Sequence, residues 1–274
     1  MLIAIDTGGT KTLITSFDAE GKMSEPYRFP TPREPAEYIA TVRTALRARY
    51  KNEEIEAIVV AIPGTIKDGV ALWCNNLHWS NFAVKAAYEE ALNDDFKGVP
   101  ILIENDANLA GLAEARSLKQ IPACVLYVTV STGVGTGIIT EGKLNKDLAH
   151  SEGGRMLIEY DGVVREWESF ASGQAIAKVY GKYARDITSK RTWNQIADRI
   201  SRGFLAIVPV LQPDVIIIGG SIGAYFGQYG LQLKKILDGH LPPHIPTPRI
   251  VAAKHPEQAV LYGCYYYALD TLTD

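Results

Sequence analysis

The chain has 274 residues, 47% of them hydrophobic, which is enough apolar material for one large domain or two of medium size. Its 28 basic and 31 acidic residues leave a net charge of −3, which excludes the basic footprint needed to hold nucleic acid or an anionic membrane by charge. Asp6 cuts the first apolar run, and no uncharged stretch approaches the ~20 residues of a membrane span, so neither a secretion signal nor a transmembrane segment is expected. Cys74, Cys124 and Cys264 are odd in number and far apart, and read as reduced thiols of a cytoplasmic protein rather than as a disulfide or metal frame.

Leu2-Ile3-Ala4-Ile5 reads as a buried strand that runs into Asp6-Thr7-Gly8-Gly9-Thr10-Lys11-Thr12. The paired glycines permit φ > 0 and let phosphate oxygens approach the backbone N–H groups. Thr7, Thr10 and Thr12 add hydroxyls, Lys11 a cation, and Asp6 a hard oxygen ligand suited to Mg²⁺. The plain alternative is an ordinary β-turn. A second strand, Leu13–Phe17, follows. Ile39, Val42, Leu46 and Tyr50 recur at helical spacing over 34–51, and Ile55–Ile62 is a buried strand ending in the loop Pro63-Gly64-Thr65. A short strand over 101–103 leads to a helix from Ala107. The strand Val125–Val130 runs into Ser131-Thr132-Gly133-Val134-Gly135-Thr136-Gly137, a second phosphate-loop candidate carried by Thr132, Gly133 and Gly135, with another strand over 137–140. A third apolar strand, from Pro213, ends in Gly219-Gly220. Helices alternating with apolar strands predict an α/β protein with parallel sheet members. Similar strand–turn–strand segments half a chain apart predict two related α/β domains facing each other across a cleft, each offering a loop to the same phosphates.

Asp-x-Gly-Gly-Thr at the start, Ser-Thr-Gly-x-Gly in the middle and Ile-Ile-Gly-Gly near the end resemble the actin-like ATPase (ribonuclease H-like) and sugar-kinase superfamily. Glu104-Asn105-Asp106-Ala107-Asn108 narrows the resemblance to the ROK family, most of whose characterised members are bacterial sugar kinases. Ala149–Met156 sits where that family has Gly-Glu-x-Gly-His, and Glu168–Gly173 resembles its Glu-x-x-x-Ser-Gly segment. The resemblance implies a glucokinase-like enzyme that uses ATP and Mg²⁺, with Asp6 on the metal directly or through water. Asp106 becomes the candidate general base; as a lone residue it would read as a helix N-cap. Asn105, Glu152 and Glu168 would bind sugar hydroxyls, and Gly64 would bring backbone close to the sugar. Trp79 reads equally as packing or as a ligand contact.

Two departures from the family pattern matter. No cysteine lies between Cys124 and Cys264, where the family commonly carries a zinc motif, and Arg155 stands at the position of its histidine. Arginine cannot ligate zinc, so no zinc site is expected; Tyr160-Asp161-Gly162-Val163 offers a hairpin turn in its place. Arg155 would read an anionic sugar or pair with Glu152 or Glu168. The expected architecture is a small domain over 1–106, completed by a C-terminal helix over 257–274, and a large domain over 107–256. A possible homodimer follows from the family. The competing readings are a catalytically silent sugar or nucleotide sensor; a repressor, for which Asp6 leaves no room for a DNA-binding segment; and an actin-like or chaperone ATPase, against which the Glu104–Asn108 segment argues.

Overall fold

A computed structural model of the chain describes residues 1–255 and 258–273. It divides into two compact units, Met1–Ala113 with Gln258–Asp274, and Glu114–Glu257. In the first, strands β1 (Leu2–Thr7) and β2 (Lys11–Phe17) form an antiparallel hairpin, β3 (Tyr27–Pro30) follows, and α1 (Pro35–Tyr50) leads to β4 (Ala57–Ile62). A small antiparallel sheet, β5 (Thr65–Lys67), β6 (Val70–Cys74) and β7 (Trp79–Phe82), precedes α2 (Val84–Leu92), β8 (Ile101–Asn105) and α3 (Asp106–Arg116). The main sheet has the order β3-β2-β1-β4-β8, antiparallel on one side of β1 and parallel on the other. Every residue of β4 is buried, as its unbroken Ala-Ile-Val-Val-Ala-Ile run requires of a strand covered on both faces.

The second unit repeats the plan. Strands β9 (Cys124–Val130), β10 (Val134–Thr140) and β11 (Lys143–Leu144) form the antiparallel side, a 3₁₀ turn covers Gly153–Arg155, and β12 (Leu157–Tyr160) pairs with β13 (Val163–Glu166). Helices α4 (Glu168–Ala171), α5 (Gly173–Tyr180) and α6 (Lys190–Leu211) come next, then β14 (Val215–Gly219), α7 (Gly220–Gly223), α8 (Phe226–His240) and β15 (Arg249–Ala252). The sheet order is β11-β10-β9-β14-β15, with the same switch from antiparallel to parallel pairing. In each unit the first candidate loop is the turn between the first two strands of the sheet.

Helix α9 (Ala259–Thr273) belongs to the first unit. Its Leu261, Cys264 and Ala268 pack with Leu2, Ala4, Val59 and Leu109. The ends of the expected 257–274 helix, Glu257 and Asp274, lie outside the described residues. The turn expected at Tyr160–Val163 forms: Asp161 and Gly162 take φ of 54° and 76°, the two positive values a type I′ hairpin turn demands.

Candidate active site

In the first unit the site is built where β1 and β8 end. Gly8 N–H donates to the Lys11 carbonyl at 2.9 Å, closing the turn between β1 and β2. Neither Gly8 nor Gly9 takes the positive φ expected of them. Space is the requirement instead: a Cβ on Gly9 would meet the Asn76 side chain and carbonyl at 3.1 Å. Gly9, Thr10 and Lys11 are exposed, so they form the open face of the loop. Thr12 departs from the expectation of a phosphate contact. Strand alternation turns it inward, fully buried, and its hydroxyl bonds that of Thr31 at 2.9 Å. Thr7 is buried likewise, 2.6 Å from the Tyr38 hydroxyl, which in turn lies 2.5 Å from that of Tyr88. Two of the three loop hydroxyls therefore brace the loop from behind.

At the end of β8, Asn105 starts the helix that follows. Its Oδ1 accepts the N–H groups of Ala107 and Asn108 at 2.8 and 3.0 Å, and its Nδ2 donates to the Gly64 carbonyl at 2.8 Å. Asp106 Oδ1 also accepts from Ala107 N–H at 2.8 Å, so the capping work is shared. Glu104 Oε1 takes Asn108 Nδ2 at 2.9 Å and holds that side chain beneath the helix start. Gly64 has φ of 95°, and a Cβ there would stand 2.3 Å from the Trp73 carbonyl, so only glycine fits between Asn105 and β6. Trp79 is 3% exposed, packs at a tilt against Tyr38 and edge-to-face against Phe82, and donates Nε1–H to the Arg33 carbonyl; it is a packing residue.

The sharpest electrostatic feature joins the two strand ends. Burial pushes the Asp6 carboxyl up to about 7, the Asp106 charge pushes in the same direction, and Lys11 opposes both. Two carboxylates close enough to disfavour each other's ionised form, beside an open glycine turn, concentrate negative charge that a cation would relieve. Among the described residues no group of three or more His, Cys, Asp or Glu could hold a metal alone. Mg²⁺ does not need one, since it is held by one or two carboxylates with water and substrate phosphates completing the shell. Asp6 and Asp106 fit that demand.

In the second unit, Ser131 N–H donates to the Gly133 carbonyl at 2.9 Å, and the Ser131 carbonyl accepts from Gly173 N–H at 2.6 Å, which ties the loop to the start of α5. Ser172 caps that helix through Ala175 N–H. Ser131, Thr132, Gly173, Gln174, Ser221 and Tyr225, among others, line a cavity of about 420 Å³. Of the third loop, Gly219 ends β14 fully inside and Gly220, with φ of 77°, starts α7. Gly135 lies within β10, paired with Thr129, rather than in the turn. Tyr183, Arg185 and Tyr225 also line the cavity. None carries a phosphate-binding motif: Arg185 lies in a 3₁₀ turn that Tyr183 precedes and Tyr225 precedes α8, so only the fold assembles them.

Glu152 is exposed and precedes the 3₁₀ turn. Arg155, at the end of that turn, places Nη1 2.6 Å from Glu166 Oε2 and Nη2 3.6 Å from Glu168 Oε1. Glu168 Oε2 accepts from Val134 N–H at 2.8 Å. Glu166 carried no motif and was not singled out; its place beside Arg155 comes from the β12–β13 hairpin.

Over 285 residues the chain is 29% identical to the N-acetylmannosamine kinase of Citrobacter koseri, covering 95% of this chain and 96% of that one. It is 27% identical over 202 residues to the glucokinase of Streptomyces coelicolor, 70% of this chain but 62% of that enzyme, so it matches under two thirds of this relative's length. The fold is that of a ROK family glucokinase from Streptomyces griseus solved with glucose and AMPPNP, at a TM-score of 0.80 and 22% identity over 98% of this chain and 99% of that one. A model of the ROK family matches residues 2–271, and the chain belongs to that family.

Proposed function

We propose that the chain is an ATP-dependent kinase acting on a hydroxyl of a hexose or a related sugar such as an N-acetylhexosamine. The observation that carries this reading is the Asp6–Asp106 pair: a carboxylate held toward its neutral form by burial and by its neighbour, beside the glycine turn, and a second at the start of a helix near Gly64, a position that only glycine fits. The names of the relatives, a glucokinase and an N-acetylmannosamine kinase, support the same class of substrate.

Asp106 accepts the proton of the attacking hydroxyl, whose oxygen forms a bond to the γ-phosphorus while the bond from that phosphorus to the bridging oxygen breaks and ADP leaves. Asp6, with Asp106 nearby, would hold Mg²⁺, which supplies neutralisation of phosphate charge. Gly9, Thr10 and Lys11 offer donors for phosphate oxygens within the first unit, and Thr132 and Gly133 offer their own within the second. Asn105 fixes the Gly64 loop against the helix start, and Glu152 and Glu168 offer acceptors for sugar hydroxyls. The cavity at Ser131, Gly173 and Ser221 has room for the nucleoside. The test is ADP release over a panel of hexoses, N-acetylhexosamines and sugar acids. Turnover on one neutral sugar, lost in Asp106→Asn, is expected; no turnover on any member would refute the proposal.

A further inference from the structure

We propose that Arg155 and Glu166 are positioning residues that set the second phosphate loop through Glu168; the proposal rests on the kinase reading above for its functional consequence. Arg155 sits on the 3₁₀ turn, Glu166 at the end of β13 and Glu168 at the start of α4. Two carboxylates two residues apart, one on each side of Trp167, converge on one guanidinium. Without that cation their like charges would repel. Arginine suits the place because its planar fork can serve two acceptors at once, which a lysine ammonium on a flexible stem does less well.

The chain of contacts continues from there to the loop. Glu168 turns its other oxygen to Val134 N–H at 2.8 Å, the first residue of β10 and the one that follows Gly133. The fit is tight: a Cβ on Gly133 would lie 2.2 Å from Glu168 Oε2 and would push that carboxylate from its place. Ser131 N–H donates to the Gly133 carbonyl, so the position of Val134 is passed to both arms of the turn. Trp167, between the two acids, is fully buried against Phe204 of α6 and fixes the backbone from which both carboxylates reach out. The path Glu166–Arg155–Glu168–Val134 thus joins the β12–β13 hairpin to the phosphate loop. With both Arg155 contacts made to carboxylates of this assembly, its influence on the reaction runs through the loop.

Hydrogen exchange on the unliganded full-length protein reads this without depending on activity. In Arg155→Met the Val134 amide should exchange about tenfold faster, the scale of one charge-assisted hydrogen bond weakened, while amides of α6 from Ile196 to Phe204 keep their wild-type rates. Glu166→Gln, which leaves Glu168 its arginine, should give a smaller rise. Arg155→Lys should recover part of the protection. In the kinase assay kcat/KM for the nucleotide should fall in the same order as protection. An unchanged Val134 rate in Arg155→Met, or an equal rise in Val134 and α6, would overturn the proposal, as would selective loss of turnover on sugar acids. If protection falls as expected but the wild-type protein phosphorylates no sugar, the positioning role stands and the kinase reading fails.

Discussion

Replacing Asp6 by asparagine should stabilise the metal-free protein while abolishing its activity, and the gain should depend on pH. Burial and the neighbouring Asp106 raise the Asp6 carboxyl from 3.8 to about 7. Because the folded state holds its proton more tightly than the unfolded chain, the stability this carboxyl contributes is fully present below pH 3.8 and lost as pH rises through about 7. A displacement of that size corresponds to about 4 kcal/mol disfavouring the ionised form, and water entering a functional site leaves roughly half of it, about 2 kcal/mol. With an unfolding entropy of about 2.1 cal/mol/K per residue, this becomes a rise in Tm of roughly 3 to 7 °C. The assay is thermal unfolding of wild-type and Asp6→Asn protein in a strong chelator without nucleotide, at pH 8 and at pH 5. The asparagine variant should melt higher at pH 8, with the advantage shrinking at pH 5, where the native carboxyl is protonated. An equal or lower Tm at pH 8, or an advantage that does not change with pH, would refute the reasoning.

Asp106→Asn should keep the fold and nucleotide binding but lower turnover by ~10²-fold or more, the usual contribution of a positioned general base, as read by steady-state ADP release. Gly64→Ala should cost more than about 2 kcal/mol of stability, since its Cβ meets the Trp73 carbonyl at 2.3 Å in a backbone conformation alanine resists; denaturant titration measures it, and a shift below 0.5 kcal/mol would show that β6 yields freely. Elemental analysis of the purified protein should find no stoichiometric zinc, because Arg155 is engaged with Glu166 and Glu168 and no cysteine stands nearby in sequence.

The strand–turn–strand signals were legible because they are local: β1 with its glycine turn, β9 with its own, and the Asp-Gly hairpin at 161–162 each depend on a few adjacent residues. The inward turn of Thr12 was not, although strand alternation is a local rule, because its hydroxyl looked useful and its partner Thr31 is 19 residues away. Of the two properties that the Gly8-Gly9 pair offers, positive φ and a missing Cβ, the fold uses the second: a Cβ on Gly8 would meet the Lys11 carbonyl at 3.0 Å and one on Gly9 the Asn76 side chain and carbonyl at 3.1 Å. Glu166 and the tyrosines of the cavity could not be found from sequence at all, since pairing across a hairpin and between loops places them. The small sheet β5-β6-β7 escaped for a related reason: its strands are three to five residues long and carry no sustained alternation.

The placement of α9 has a consequence for how the protein is made. The face of the first sheet formed by Leu2, Ala4, Ala57 and Val59 is covered by Leu261, Cys264 and Ala268, residues synthesised after the whole of the second unit. A growing chain therefore carries an uncovered apolar sheet through the translation of residues 114–257, at ~5–20 residues per second a wait of roughly 7 to 30 seconds. The second unit is continuous in sequence and can fold as it emerges, whereas the unit that carries Asp6 and Asp106 is left to chaperones or to chance until its closing helix arrives. Errors in biogenesis should accordingly concentrate in the half that holds the proposed catalytic carboxylates.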